Sequence, residues 1–521
     1  MPARATTAVL CLAVGCLSPL DAQLTPTGHQ RWNQGDLGSL VEAGDRFGAA
    51  LAVGDFDGDS YDDLVVGLPG EDVGAVVDAG SVLIVYGAPS GLDGAGALPV
   101  FSLHQDVAGV LGVAEASDQF GATLAVGDFN GDTFDDLAVG VPLEDVEISP
   151  GVIVADGGVV HVFYGSLGGI ITAGNQAFAQ ENLPAAAVSQ TGDQFGAALA
   201  TCDVSFVQDA VDDLAIGIPG DNFGGLNSSG AAAGLMGSPG GLTASGASYF
   251  GAAGFSTPPA PGDRFGSAIG CGTYGSGESS RLIAIGAPLA EASGAGSSAG
   301  IVRVTTESGS WETSFPNAGG RSGASLAFIP SPDTLQFDLL IGIPGSTSGV
   351  NEESGRVYSE TTGRGFAQGL AGLSEASEPF DRFGEVIATG DWNGDGRPDV
   401  AYGVPGENLR DGLPDTALDA GTVHVLFGQY GFAGTAAHQV WNWDDPTLGF
   451  AAHSNDKFGA ALAGGDFDGD GVDDLVIGAP GAEWNDQAGT GLIQILYGEA
   501  RLVFADNFEF GSIFYWSGDT P

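Results

Sequence analysis

The sequence predicts an all-β chain made of seven copies of one strand-rich unit, and three observations carry that prediction. Asp-x-Phe-Gly recurs ahead of small apolar segments, as Asp45-Arg-Phe-Gly48, Asp118-Gln-Phe-Gly121, Asp193-Gln-Phe-Gly196, Asp263-Arg-Phe-Gly266, Asp381-Arg-Phe-Gly384 and Asp456-Lys-Phe-Gly459. Gly-x-Pro closes a second apolar segment in every unit, including Gly67-Leu-Pro69, Gly217-Ile-Pro219, Gly286-Ala-Pro288 and Gly342-Ile-Pro344. Gly supplies 89 of 521 residues and Lys+Arg only 14, so helix formers are scarce outside the N-terminus. Strands repeating at about 60 to 75 residues without a helical pattern predict a ring or array, here a seven-bladed β-propeller of four-stranded antiparallel blades.

Within a unit the elements follow in order. The first strand is built from Gly and Ala, as in Phe47-Gly-Ala-Ala-Leu-Ala-Val53, which suits strands crowded around a central axis. The second ends at Gly-x-Pro. The third, at 81–86, 159–164, 422–427 and 492–497, is β-branched and aromatic and bounded by Gly. His161 and His424 share one position in third strands, which marks a structural strand position. Unit three has a longer loop at 203–213 that is poorer in acids, unit four has none, and unit five is the most eroded. An outer fourth strand is visible at His438-Gln-Val-Trp-Asn442, and His29-Gln-Arg-Trp-Asn33 matches it ahead of unit one. Pairing that N-terminal strand with unit seven closes the ring and removes its exposed edges.

Between first and second strands, four units carry a nine-residue acidic loop: 55–63, 128–136, 391–399 and 466–474. Oxygen-bearing side chains stand at positions 1, 3, 5 and 9, and Gly at position 4 or 6 allows a sharp turn. A hard cation such as Ca²⁺ takes six to eight oxygens, which such a turn supplies together with a backbone carbonyl at position 7. The expected ligands are Asp55, Asp57, Asp59, Asp63 and the Tyr61 carbonyl; Asp128, Asn130, Asp132, Asp136 and the Phe134 carbonyl; Asp391, Asn393, Asp395, Asp399 and the Arg397 carbonyl; and Asp466, Asp468, Asp470, Asp474 and the Val472 carbonyl. Phe56, Phe129, Trp392 and Phe467 at position 2 are expected to point into the blade. An isolated Asp/Gly loop reads as a solvated turn; four copies with the same acid spacing read as about four Ca²⁺ sites. An EF-hand is a poor match, because the loop lacks the closing Glu at position twelve and is flanked by strands.

Phe-Gly, Gly-x-Pro and the Asp-x-Asp-x-Asp-Gly type loop together resemble the FG-GAP repeat of integrin alpha-subunit head propellers, over roughly residues 29–498. The resemblance implies a seven-bladed propeller with Ca²⁺ loops on the face opposite a ligand-binding surface. The loops fall in units six, seven, one and two, which differs from their position along integrin chains. Nothing in the sequence resembles the integrin leg domains or inserted ligand-binding domain, so integrin-type signalling is not implied.

Residues 1–22 read as a signal peptide, with Arg4 ahead of an apolar run at 8–20, followed by the propeller at 23–498 and a tail at 499–521 suited to sorting or anchoring. A secreted or cell-surface location follows; lipidation at Cys16 is the alternative. No run reaches the length of a membrane span. Cys202 and Cys271 fall at nearly equivalent places in units three and four; an oxidising compartment permits a disulfide between them, and two buried thiols are the other reading. The net charge of −52 excludes nucleic acid and anionic membrane surfaces as direct partners. The expected function is a non-catalytic adhesion or ligand-binding module for an extracellular protein or carbohydrate. A lyase-like propeller enzyme, which needs a converging base and cation, and a purely structural surface protein are the alternatives. Neither the ligand nor the oligomeric state is legible.

Overall fold

The structure, a computed structural model, describes residues 24–499 apart from short stretches at 93–97, 184–187, 205–210, 252–257, 275–279, 292–297, 307–308, 316–318, 331–336, 348–350, 371–372, 374, 410–415 and 429–437. The expected signal peptide, Cys16 and nearly all of the C-terminal tail lie outside the described residues.

Seven four-stranded antiparallel sheets form the blades, and no α-helix occurs among the described residues. Blade one runs outward through Ala50–Gly54, Asp63–Leu68, Ser81–Val85 and Phe101–Leu103. Blade two adds a small hairpin, Val146–Ser149 with Val152–Val154. First strands of successive blades touch all the way round, blade seven against blade one included. They line an axial cavity of about 380 Å³ beside Ala50, Ala122, Ala197 and their counterparts.

The ring closes as the repeated His-Gln-x-Trp segment predicts. Thr25–Trp32 forms the outer strand of blade seven, with Trp32 opposite Ile493 and Gln30 opposite Ile495. The matching Trp441 stands opposite Val423 in blade six, so the two segments occupy equivalent register.

The core lies between blades. Phe56, Val65, Val82 and Ile84 of blade one pack on Phe120, Leu137, Val139 and Phe163 of blade two. The Phe of every Asp-x-Phe-Gly is 0 % exposed. Gly-x-Pro is explained at the same seam. A Cβ on Gly67 would meet the Gly121 carbonyl oxygen of the next blade at 2.3 Å, and one on Gly478 the Gly48 oxygen at 2.2 Å. The glycine is fixed by how closely each blade approaches the next.

Candidate metal centres

Each acidic loop joins the end of a first strand to the start of a second, so all four lie on the face opposite the Phe-Gly turns. The position 2 aromatics Phe56, Phe129, Trp392 and Phe467 are 0 % exposed and anchor each loop in its blade. The position 1 carboxylate then gathers the turn. Asp55 accepts from the N–H groups of Gly58 at 2.7 Å, Asp59 at 3.1 Å and Ser60 at 3.0 Å. Asp128 does the same in its loop, and Asp391 and Asp466 accept from the N–H groups of positions 5 and 6 in theirs. Positions 4 and 6 are both left-handed, and loops one and two place Ser60 (φ 74°) and Thr133 (φ 77°) at position 6 without a glycine.

In loops one and seven the carboxylates at positions 1, 3 and 9 offer oxygens within 4.8 Å of one another: Asp55, Asp57 and Asp63, and Asp466, Asp468 and Asp474. Position 5 stands outside these groups. Asp59 and Asp470 instead accept the position 7 N–H of Tyr61 at 3.0 Å and of Val472 at 2.9 Å, as Asp132 does from Phe134 and Asp395 from Arg397. In loops two and six position 3 is an amide, and the Oδ1 atoms of Asn130 and Asn393 accept from Asp132 and Asp395.

The position 9 carboxylates are buried, and each bridges two backbone segments. Asp63 accepts from Phe56 N at 2.9 Å and from Gly87 N, after the third strand, at 2.8 Å. Asp136, Asp399 and Asp474 repeat both bonds. Burial pushes these acids up, Asp63, Asp399 and Asp474 to about 8 and Asp136 to about 7, with the neighbouring loop acids adding repulsion. Oxygen-only donors that repel one another in a tight turn fit a divalent cation, whose charge removes that repulsion.

Position 8 joins neighbouring blades in a way the spacing of ligands does not reveal. Asp135 of blade two accepts the Asp55 N–H of blade one at 2.9 Å, and its own N–H donates to the Asp55 carbonyl at 3.1 Å. Asp212 holds Asp128, Asp473 holds Asp391 and Asp62 holds Asp466 in the same reciprocal way. Each loop is thus clasped by the next blade. The signal was the Asp-Asp doublet. It is kept in blade three, whose own loop is degenerate but follows loop two, and is replaced by Pro398-Asp399 in blade six, which follows a blade with no acidic loop.

Cys202 and Cys271 are joined as a disulfide, Cα atoms 5.5 Å apart, between the first strands of blades three and four. His161 and His424 are buried in third strands; burial holds the His161 imidazole down at about 4.

The family model described as "FG-GAP repeat" matches residues 47–85, 120–163, 383–426 and 458–496, each segment starting at the buried Phe and containing one intact loop. These four segments are FG-GAP repeats. The chain is 38% identical over 122 residues to the rat (Rattus norvegicus) phosphatidylinositol-glycan-specific phospholipase D, covering 23% of this chain and 13% of that protein. It is 31% identical over 160 residues to integrin alpha-PS2 of Drosophila melanogaster, covering 29% of this chain and 10% of the integrin. These matches therefore span only about a tenth of the curated relatives' length. Among solved structures, BBS1N in complex with ARL6DN aligns over 91% of this chain and 96% of that one, with a TM-score of 0.43 and 10% identity. The FG-GAP propeller is integrin-like in its repeats and its seven blades.

Proposed function

We propose that this FG-GAP propeller is a Ca²⁺-stabilised, non-catalytic binding module of the extracellular space, taking a protein or carbohydrate ligand on the face opposite its loops. The observation that carries the reading is the recurrence of one acidic turn in four contiguous blades, with oxygens at positions 1, 3 and 9 converging within 4.8 Å in loops one and seven. Each loop holds one ion through positions 1, 3, 5 and 9 and the position 7 carbonyl, and position 5 turns inward on loading. Extracellular Ca²⁺ is plentiful, so affinities on the order of 10⁻⁴ to 10⁻³ M suffice. The likeness to integrin alpha subunits supports a ligand-binding role. A screen of glycans and matrix proteins against the full chain, with Ca²⁺ and with chelator, tests this. Calcium-dependent capture of one ligand class supports it, and turnover of a polysaccharide in the same assay replaces it with the enzymatic reading.

A further inference from the structure

The clasped seams share a glycine that the clasp itself explains. Gly54, Gly127, Gly390 and Gly465 end the first strands of their blades, one residue ahead of the acidic loop. A Cβ on Gly54 would stand 2.7 Å from Asp135 Oδ2, the carboxylate that reaches across from the next blade. On Gly127 it would stand 2.9 Å from Asp212 Oδ2, on Gly390 3.1 Å from Asp473 Oδ2, and on Gly465 2.8 Å from Asp62 Oδ2. The clasping carboxylate takes the space a side chain would need.

Blade three departs from this pattern. Its first strand ends at Cys202, which stands opposite Asp213 as Gly54 stands opposite Asp63. Counted from the pair each first strand makes with the glycine of Gly-x-Pro, Cys271 of blade four is the equivalent of Val53, Val126 and Thr201. Those residues face the strand-end glycine across a clasped seam. A Cβ on Gly54 would lie 2.4 Å from Val126 Cγ1, and one on Gly127 2.6 Å from Thr201 Cγ2. In blades three and four the same two positions hold cysteines, with Cα atoms 5.5 Å apart and the sulfurs bonded. At the position from which Asp135 and Asp212 clasp, blade four has Arg281. The covalent link stands where the carboxylate link is missing.

We propose that the Cys202–Cys271 disulfide is a redox-operated lock that replaces the carboxylate clasp between blades three and four, so that a thiol reductant opens this seam and leaves the four clasped seams intact. The step is thiol–disulfide exchange with a dithiol. Its first thiolate attacks Cys271 Sγ, forming a mixed disulfide and releasing the Cys202 thiolate. Its second thiolate attacks the reagent's own bonded sulfur, closing a cyclic disulfide and releasing the Cys271 thiolate. The protein disulfide gains two electrons and two protons, and the dithiol is oxidised to its disulfide. Cys271 is the sulfur open to attack, because it is partly exposed while Cys202 is buried. Once the bond is cut, this end of the seam is held by side-chain packing of Val204, Ala232 and Ile283. The other end keeps the bond from the Phe265 N–H to the Ser229 carbonyl at 3.0 Å and serves as the hinge.

The test uses full-length protein, oxidised and after dithiothreitol, with alkylation and mass spectrometry confirming that Cys202 and Cys271 are free thiols. Reduction should lower the melting temperature in Ca²⁺ and in chelator alike. It should raise amide exchange several-fold in Ala198–Cys202 and Ala268–Tyr274, but not in Ala50–Gly54. Cys202→Ser with Cys271→Ser should reproduce the reduced values and show no further response to reductant. Adding Arg281→Asp to Cys202→Gly with Cys271→Val rebuilds a clasp, and should slow exchange in both strands relative to the two cysteine substitutions alone. Exchange that stays at its oxidised level in both strands of the fully reduced protein overturns the proposal. No gain from Arg281→Asp in a folded variant overturns the equivalence of the two links. The reduced wild-type protein gives the exchange readout even where a cysteine variant fails to fold.

Discussion

At the scale of single residues, the loops show one side-chain type serving two purposes. The carboxylates at positions 1 and 9 shape the turn through backbone N–H groups and also converge where an ion would sit. Replacing Asp57 and Asp59 by Ala removes two expected ligands while leaving these shaping bonds in place. Calorimetry on chelated protein should find about four loop sites in the wild type and one fewer in this variant, with little change in the metal-free melting temperature. The Gly67 position is less forgiving. An added Cβ would stand 2.3 Å from the Gly121 oxygen of the next blade, and neither partner is a flexible side chain. Gly67→Ala should destabilise by roughly 1–3 kcal/mol, the range for overpacking, which urea unfolding with Ca²⁺ held constant would measure.

At the scale of elements, the acids at the Phe-Gly end of the ring add a pH dependence to that of the buried position 9 carboxylates. Burial raises Asp45 and Asp118 to about 6 and Glu71 and Glu144 to about 8. Their folded values lie above those of an unfolded chain, about 4, so protonation favours the fold. That stability is present below about pH 4 and is lost as pH rises through 6 to 8. In chelator the melting temperature should therefore fall between pH 5 and pH 9, and Glu144→Gln should flatten the fall; a melting temperature that rises over this range would contradict the assignment. The blade elements were largely legible in the sequence, because Phe-Gly, Gly-x-Pro and the loop recur in fixed order and each has a local reason. The position 8 clasp was not. It joins Asp55 to Asp135 across 80 residues, and its meaning depends on which blades are neighbours. The Gln34, Asp45 and Glu71 group was missed for the same reason: nothing local ties a Gln after an outer strand to an acid after Gly-x-Pro. The shift of position 5 away from the ligand group is also invisible to spacing, since spacing does not report which N–H a carboxylate accepts.

At the scale of the whole molecule, the chain carries a net charge of −52, with 14 Lys and Arg against 66 Asp and Glu, and cation binding to the folded state must raise stability by mass action. At a Ca²⁺ concentration 100-fold above the dissociation constant, each site adds about 2.7 kcal/mol. The melting temperature should rise by many degrees on adding Ca²⁺, and an unchanged value would defeat the metal reading of the loops. Deleting residues 503–521 should leave it nearly unchanged, since the outer strand of blade seven is already supplied by Thr25–Trp32. That closing seam is fastened at two depths: by the outer strand against Leu492–Tyr497, and by the Asp62–Asp466 clasp at the loops. The two respond differently to pulling. Tension on the chain ends peels the outer strand bond by bond, but loads the clasp only after the strand has gone. An ion in loop seven would stiffen the turn that Asp62 grips, so the free calcium level would set the force at which the ring springs open. Optical-tweezer traces should then show a second rupture in Ca²⁺ that chelator, or Asp62→Asn, abolishes.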